Sequence, residues 1–236
     1  DPVTAERRSP RVGCLGVGWI GRARLASLVE SRRVAVVGVC DPSAEARRDA
    51  LTIATGAAEF ERYEDLLELD LDGVVIATPS ALHARQCVQA LERGLAVFCQ
   101  KPLGRDTTEV RAVIDAARSA NRLLGVDVSY RHTEGLSRIR DLAREGSIGQ
   151  VYALDLMFHN AYGPDKAWFY DVSQSGGGCL LDLGVHLVDF LLWTFDDAVV
   201  RAEGHVFAGG RRLPRGAAEV EDYVIGEIEL AGGLIA

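Results

Sequence analysis

Arg11-Val12-Gly13-Cys14-Leu15-Gly16-Val17-Gly18-Trp19-Ile20-Gly21 is a short apolar run that closes on a glycine-rich turn. Residues 16–21 spell G-x-G-x-x-G, a weak signal when it stands alone. Its surroundings supply what it needs. Arg11 to Val17 reads as a strand and Ile20 to Ser31 has a helical period. Val34 to Cys40 (VAVVGVC) is a second β-rich run, ending on the acid Asp41. A strand, a turn, a helix and a second strand closed by an acid form the setting in which such a turn cradles a dinucleotide. Gly16 permits the tight turn, Gly18 lets backbone approach a pyrophosphate, and Gly21 lets helix and strand pack closely. The helix N-terminus offers N–H groups and the positive end of its dipole to the phosphates. Trp19 and Ile20 belong to the same turn and join the candidate cofactor contacts. A carboxylate at Asp41 accepts hydrogen bonds from ribose hydroxyls and repels a 2′-phosphate, so NAD is expected. Ser43, Arg47 and Arg48 lie near enough in sequence to accommodate that phosphate, which leaves NADP possible. The competing reading is a merely glycine-rich turn, with Asp41 capping the next helix.

The alternation continues beyond this unit. Ser43 to Thr55 reads as a helix, with Ser43 as its N-cap and Gly56 as its stop. Glu64 to Leu69 is a short helix and Leu71 to Ala77 (LDGVVIA) a buried strand. Ala81 to Arg93 is a helix closed by Gly94. Leu95 to Cys99 is a strand, Thr107 to Ala120 a helix and Leu123 to Val128 a strand. Strands apolar on both faces, each followed by a helix, imply a parallel sheet covered on both sides and a doubly wound α/β fold. After Val128 the pattern changes. Glu134 to Glu145 and the apolar Gly178 to Trp193 read as helices. Val151 to His159 (VYALDLMFH) reads as a long strand, followed later by Ala198 to Phe207 and Tyr223 to Leu230. Strands with few crossover helices suggest a second, mainly antiparallel open sheet in an α+β domain. The expected division is residues 1–128 and 129–236. Arg211, Arg212 and Arg215 lie in a Gly/Pro-rich stretch that reads as a solvated loop.

Composition narrows the function. The 236 residues are 48% hydrophobic and 25% charged, with net charge −8. That is ample for a packed core. An acidic chain lacks the basic footprint needed for nucleic acid or anionic membrane. No apolar run is expected to reach the length of a membrane span. The polar start, Asp1 to Pro10, reads as a loose tail rather than a signal peptide. Cys14, Cys40, Cys87, Cys99 and Cys179 are scattered and show no metal-ligand spacing. They fit small core residues in a reducing cytoplasm.

Two sets of residues carry possible chemistry. Thr78-Pro79-Ser80 with nearby His83, and Gln100-Lys101-Pro102, each follow a strand of the parallel sheet, at the edge where such sheets bind ligands. Lys101 there reaches a nicotinamide or a substrate hydroxyl, or is simply a solvated loop lysine. On the helix Gly178 to Trp193, Asp182, His186 and Asp189 fall at i, i+4 and i+7 and share one face among leucines. They form either a satisfied core histidine with a carboxylate partner or an acid–base site. No third ligand at a recognisable spacing points to a metal. His159, Asn160, Tyr162, Lys166 and Trp168, at the exit of the expected strand, suit a sugar pocket or a polar surface loop. Arg131 and His132 are weaker candidates.

Together GVGWIG, the acid in VCDPS, ATPSALH, QKPLG and GGGCLLDLGVHLVDFLLW resemble the Gfo/Idh/MocA family of glucose-fructose oxidoreductase and inositol dehydrogenase type. The resemblance runs from Gly16 to Trp193. It implies an NAD(P)-binding Rossmann domain followed by an open-faced α/β domain. It also implies a catalytic lysine, aspartate and histidine, which fall here on Lys101, Asp182 and His186. Two features depart from the family pattern. Gln100 stands where the family usually has glutamate, and the chain stops at Ala236, inside what should be the second sheet, so that sheet is expected to be incomplete. The expected activity is NAD(P)-dependent oxidation or reduction at a secondary alcohol of a sugar or polyol, by a cytoplasmic homo-oligomer associating through the C-terminal sheet. A catalytically silent dinucleotide sensor and an NAD-dependent glycosidase remain as alternatives.

Overall fold

The computed structural model describes residues 8–236. The tail expected at Asp1 to Pro10 therefore lies, up to residue 7, outside the described residues. The chain forms two compact units, one ending at Asp127 and the other spanning Val128–Ala236.

The first unit runs β1 (Arg11–Leu15), α1 (Trp19–Ser31), β2 (Ala35–Cys40), α2 (Ala44–Ile53), β3 (Ala58–Phe60), α3 (Tyr63–Leu66), β4 (Gly73–Ile76), α4 (Ser80–Glu92), β5 (Ala96–Gln100), α5 (Thr107–Ala120) and β6 (Leu124–Asp127). All neighbouring strands pair in parallel, in the order β3-β2-β1-β4-β5-β6. This is the expected doubly wound sheet, with β3 as an edge strand too short to announce itself. Val74 and Ile76 enter one apolar layer with Leu66, Leu91, Val97 and Val113. Val75, between them, enters the opposite layer with Cys14, Val17, Leu25 and Val39. Successive side chains of a strand alternate faces, so a strand covered on both sides must be apolar throughout. Ser43 caps α2 as expected, accepting from the Ala46 N–H at 3.2 Å. The order reverses between β1 and β4, and the crevice at the carboxyl ends of those two strands is where a doubly wound sheet takes a ligand.

The second unit contains α6 (Glu134–Arg144), the one-turn α7 (Val172–Ser175), a π-helical turn at Leu180–Gly184 that runs into α8 (Val185–Phe195), and strands β7 (Val199–Ala208), β8 (Arg211–Arg212) and β9 (Tyr223–Leu230). The strands form an antiparallel sheet in the order β8-β7-β9. Leu191, Leu230 and Leu234 are its buried centre, with Val151, Leu154, Leu156, Phe195 and Ile228 packed around them.

Three expectations are corrected in this unit. Val151 to His159 is not a strand. It makes only an isolated bridge between Ala153 and Ile235, with hydrogen bonds of 2.9 and 3.1 Å to the Ile235 backbone. Its apolar residues Val151, Leu154 and Leu156 still pack on the core; an apolar run shows that a segment is covered, not whether a ladder partner runs alongside. Arg211 and Arg212 are not loop residues but pair as a short strand with Phe207 and Ala208. Finally, Val172–Phe195 does reach membrane-span length and apolarity, with mean hydropathy 1.5. Its last helix instead buries His186, Phe190, Leu191 and Thr194. It also carries Asp189 in an ion pair with Arg131, the pattern of a core helix with a polar flank.

Leu191 is fully buried. Leu191→Ala should therefore lower stability by about 2–5 kcal/mol through lost contacts and a residual cavity, read as a lower thermal unfolding midpoint.

Candidate functional site

The glycine turn is held by contacts that exclude side chains. Gly16 adopts φ +77°, and a Cβ there would stand 2.6 Å from the carbonyl carbon and oxygen of Ala77. Its N–H donates to the Cys40 carbonyl at 2.8 Å, tying the end of β1 to the end of β2. A Cβ on Gly21 would stand 1.9 Å from the Gly16 carbonyl oxygen, whereas one on Gly18 would meet nothing within 4 Å. The turn is thus closed against its own chain at Gly16 and Gly21 and open at Gly18. Trp19 is 78% exposed beside it and Ile20 is half-buried. The first N–H groups of α1 have no intrahelical acceptor. An open backbone position at a helix N-terminus fits a pyrophosphate.

Asp41 sits where the sequence places it and is already engaged. One carboxylate oxygen accepts from the Val17 N–H at 3.0 Å and the other from the Ser43 N–H at 2.9 Å. Asp41 therefore both braces the turn and opens α2. Each carboxylate oxygen has a further lone pair with which to accept from a hydroxyl. Arg47 donates to the Asp41 and Pro42 carbonyls at 2.7 and 3.3 Å and pairs with Glu59 at 3.0 Å, so its guanidinium is held by the protein.

At the β4 exit, the Thr78 hydroxyl donates to the Gln86 side-chain oxygen at 2.6 Å; Pro79 is half-buried and Ser80 buried. His83, a candidate cofactor contact in the sequence, is 1% exposed. Its ring nitrogens lie 2.7 Å from the carbonyl oxygens of Pro102 and Thr78. It is a strut under the loops that follow β4 and β5. Burial holds its pKa below the ordinary value, outweighing the two carbonyls, which favour the protonated ring. Gln100, also a candidate contact, is buried; its amide donates to the Asp127 carboxylate, which accepts from Arg24 as well. Lys101 follows, half-buried, at the carboxyl edge of the sheet.

In the second unit, Glu221 builds the start of the helix that carries Asp182 and His186. Its carboxylate accepts from the Gly178 N–H at 2.8 Å and the Leu180 N–H at 3.0 Å. Its backbone carbonyl accepts from the Cys179 N–H at 3.0 Å. Three donors at a helix start are satisfied by one residue, where a negative charge also suits the helix dipole. A Cβ on Gly178 would stand 1.9 Å from the Glu221 carbonyl oxygen. The turn that follows is π-helical, with the Val185 N–H reaching back to the Leu180 carbonyl. Asp182, half-buried, lies in this wider turn, one turn before His186. His186 is 6% exposed and stacks on Tyr130, with centroids 4.2 Å apart and rings 9° from parallel. Asp189 takes a two-pronged bond from Arg131 at 2.8 and 2.5 Å. His159, Asn160, Tyr162 and Lys166 are exposed along an irregular segment rather than at a strand exit, and the half-buried Trp168 stacks on Phe169.

Tyr130, Arg24, Asp127 and Glu221 escaped the sequence reading. The Glu221 contacts span 43 and 41 residues, so nothing local announces them.

Residues 10–128 match the family model described as the oxidoreductase family's NAD-binding Rossmann fold, and residues 136–236 match that of the GFO/IDH/MocA C-terminal domain. The 1,5-anhydro-D-fructose reductase of Ensifer adhaerens is 30% identical over 230 residues, covering 96% of this chain and 67% of the reductase. Among solved structures, an NAD-binding protein from Listeria innocua superposes with TM-score 0.86 at 30% identity, covering 97% of this chain and 66% of that one. GenD2 from gentamicin A biosynthesis, solved in complex with NAD, gives TM-score 0.85 at 28% identity, covering 96% of this chain and 64% of that one. The chain thus spans about two thirds of the length of these proteins.

Glu221→Ala should lower the unfolding midpoint by the equivalent of about 1–3 kcal/mol, because it removes the acceptor of one partly buried and one exposed N–H group. Gly178→Ala should also destabilise the chain, since its methyl group meets backbone. Thermal unfolding of both variants checks this.

Proposed function

The chain belongs to the Gfo/Idh/MocA family of oxidoreductases, and we propose that it transfers a hydride between NAD and a secondary alcohol of a sugar, sugar derivative or polyol. The observation that carries the reading is the closed glycine turn braced by Asp41, within a unit whose NAD-binding family identity is established. The sugar class follows the reductase relative. NAD, when bound, supplies the hydride acceptor at nicotinamide C4; the protein positions and polarises.

The remaining steps fall to the chain's own side chains. His186, held face to face by Tyr130, takes the hydroxyl proton as general base. Lys101 hydrogen-bonds the same oxygen, favouring the alkoxide and polarising the carbonyl that forms. Asp182 orients the reacting hydroxyl or a neighbouring one. Gly16, Gly18, Trp19, Ile20, Gly21, Asp41, Thr78, Pro79 and Ser80 form the dinucleotide contacts, with His83 and Gln100 supporting them from beneath. Residues 1–128 serve as the cofactor domain. Residues 129–236 serve substrate binding and self-association, with Val200, Tyr223 and Ile225 exposed on the antiparallel sheet. His159, Asn160, Tyr162 and Trp168 are the substrate-side candidates. The five cysteines are free thiols, in keeping with work in a reducing cytoplasm.

The test is formation of reduced nicotinamide from NAD with a panel of sugars, glucosides and inositols. Lys101→Ala and His186→Ala should each lower kcat by about 10²–10⁴-fold while NAD still binds. Turnover that survives both changes would remove the role assignments. No turnover despite firm NAD binding would favour a sensor. Separately, Asp41→Ala should weaken NAD binding by about ten- to a hundredfold, the worth of a hydrogen bond to a charged group. It should also narrow the preference over NADP, as titration with both cofactors would show.

A further inference from the structure

One buried charge is unused by this mechanism. Asp127 ends β6 and is 6% exposed. A carboxylate so buried is costly unless paired and hydrogen-bonded. Its pairing is asymmetric. The same oxygen accepts from Arg24 Nε and from Gln100 Nε2. Arg24 lies on α1, the helix that starts at the glycine turn. Gln100 ends β5, in register with Asp127, and Lys101 is the next residue. One oxygen thus joins the helix of the dinucleotide turn to the strand end that presents the lysine.

The charges explain why position 100 carries an amide. Arg24 and Asp127 cancel each other, and Gln100 adds a neutral donor. A carboxylate at position 100 would face the Asp127 carboxylate in a buried place. Two such groups cannot both ionise comfortably, so one takes a proton or the pair moves apart. Either response loosens the link to α1 or to Lys101.

We propose that Asp127 is a positioning residue: a buried clamp that sets the glycine-turn helix, through Arg24, and the Lys101 strand end, through Gln100, from one carboxylate. The lysine half rests on the role given to Lys101 above; the NAD half does not.

Gln100→Glu is the informative variant, because it adds a charge while keeping size and shape. In calorimetric titration of the full chain, it should weaken NAD binding about tenfold, the scale of coupling between groups in contact. The double variant Gln100→Glu/Asp127→Asn, which transposes the carboxylate and restores the charge count, should recover affinity to within about threefold. With a sugar substrate, Gln100→Glu should lower kcat while leaving the sugar KM within about twofold. A Gln100→Glu protein with a lowered melting midpoint but unchanged NAD affinity and kcat would overturn the clamp and leave an ordinary stabilising pair. So would a double variant no better than the single. Should Gln100→Glu not fold, Asp127→Asn decides: it must weaken NAD binding, and unchanged affinity rejects the proposal. A parent protein that binds NAD but turns over no sugar refutes the dehydrogenase reading alone, since NAD affinity still tests the clamp.

Discussion

The carbonyl oxygen of Gly16 occupies the space that a side chain on Gly21 would need, 1.9 Å from where its Cβ would stand. Because that space is empty of side chain, α1 can begin immediately after β1 and pack against it. The helix N-terminus then lies at the carboxyl edge of the sheet, beside the reversal of strand order between β1 and β4. The rest of the first unit serves this placement. Gly16 donates to the end of β2, and Asp41, the residue after that strand, accepts from Val17. The chain thus uses its own backbone and one carboxylate to hold the turn in shape, which limits the reorganisation left for binding.

The second unit solves a similar problem differently. A helix bearing Asp182 and His186 among leucines must start at a defined place, and its first N–H groups must be satisfied. Glu221 meets both needs with its side chain and its backbone carbonyl. Below that start, Tyr130 fixes the His186 ring plane and Arg131 holds Asp189. Titratable groups on an apolar helix are tolerable because each belongs to an arrangement of neighbours rather than to bare hydrocarbon.

What was legible in the sequence was local. The turn, the strand before it and the acid after it fall within residues 11–41, and β4 is apolar throughout because both faces are covered. The burial of His83 has a local signal: it shares a three-to-four residue spacing with Ser80, Ala84, Cys87, Ala90 and Leu91, the buried face of α4. Val151 to His159 reads as a strand because an apolar run reports burial and not pairing. The π-helical turn had no signature, since an extra residue in a turn depends on what packs around it. Glu221 and Asp127 were invisible for a different reason. Their partners lie 43 and 103 residues away at the farthest, and only the completed fold brings such donors to one carboxylate.

The family and the fold stand on both halves of the chain; the central remaining claim is chemical, that a hydrogen leaves a sugar carbon for the cofactor. The most direct measurement supplies the full chain with NAD and sugars and inositols deuterated at their carbinol carbons, then weighs the recovered cofactor by mass spectrometry. The account predicts reduced nicotinamide carrying one deuterium, formed in step with the oxidised sugar. NAD that binds firmly yet returns unlabelled and unreduced from the whole panel would contradict it.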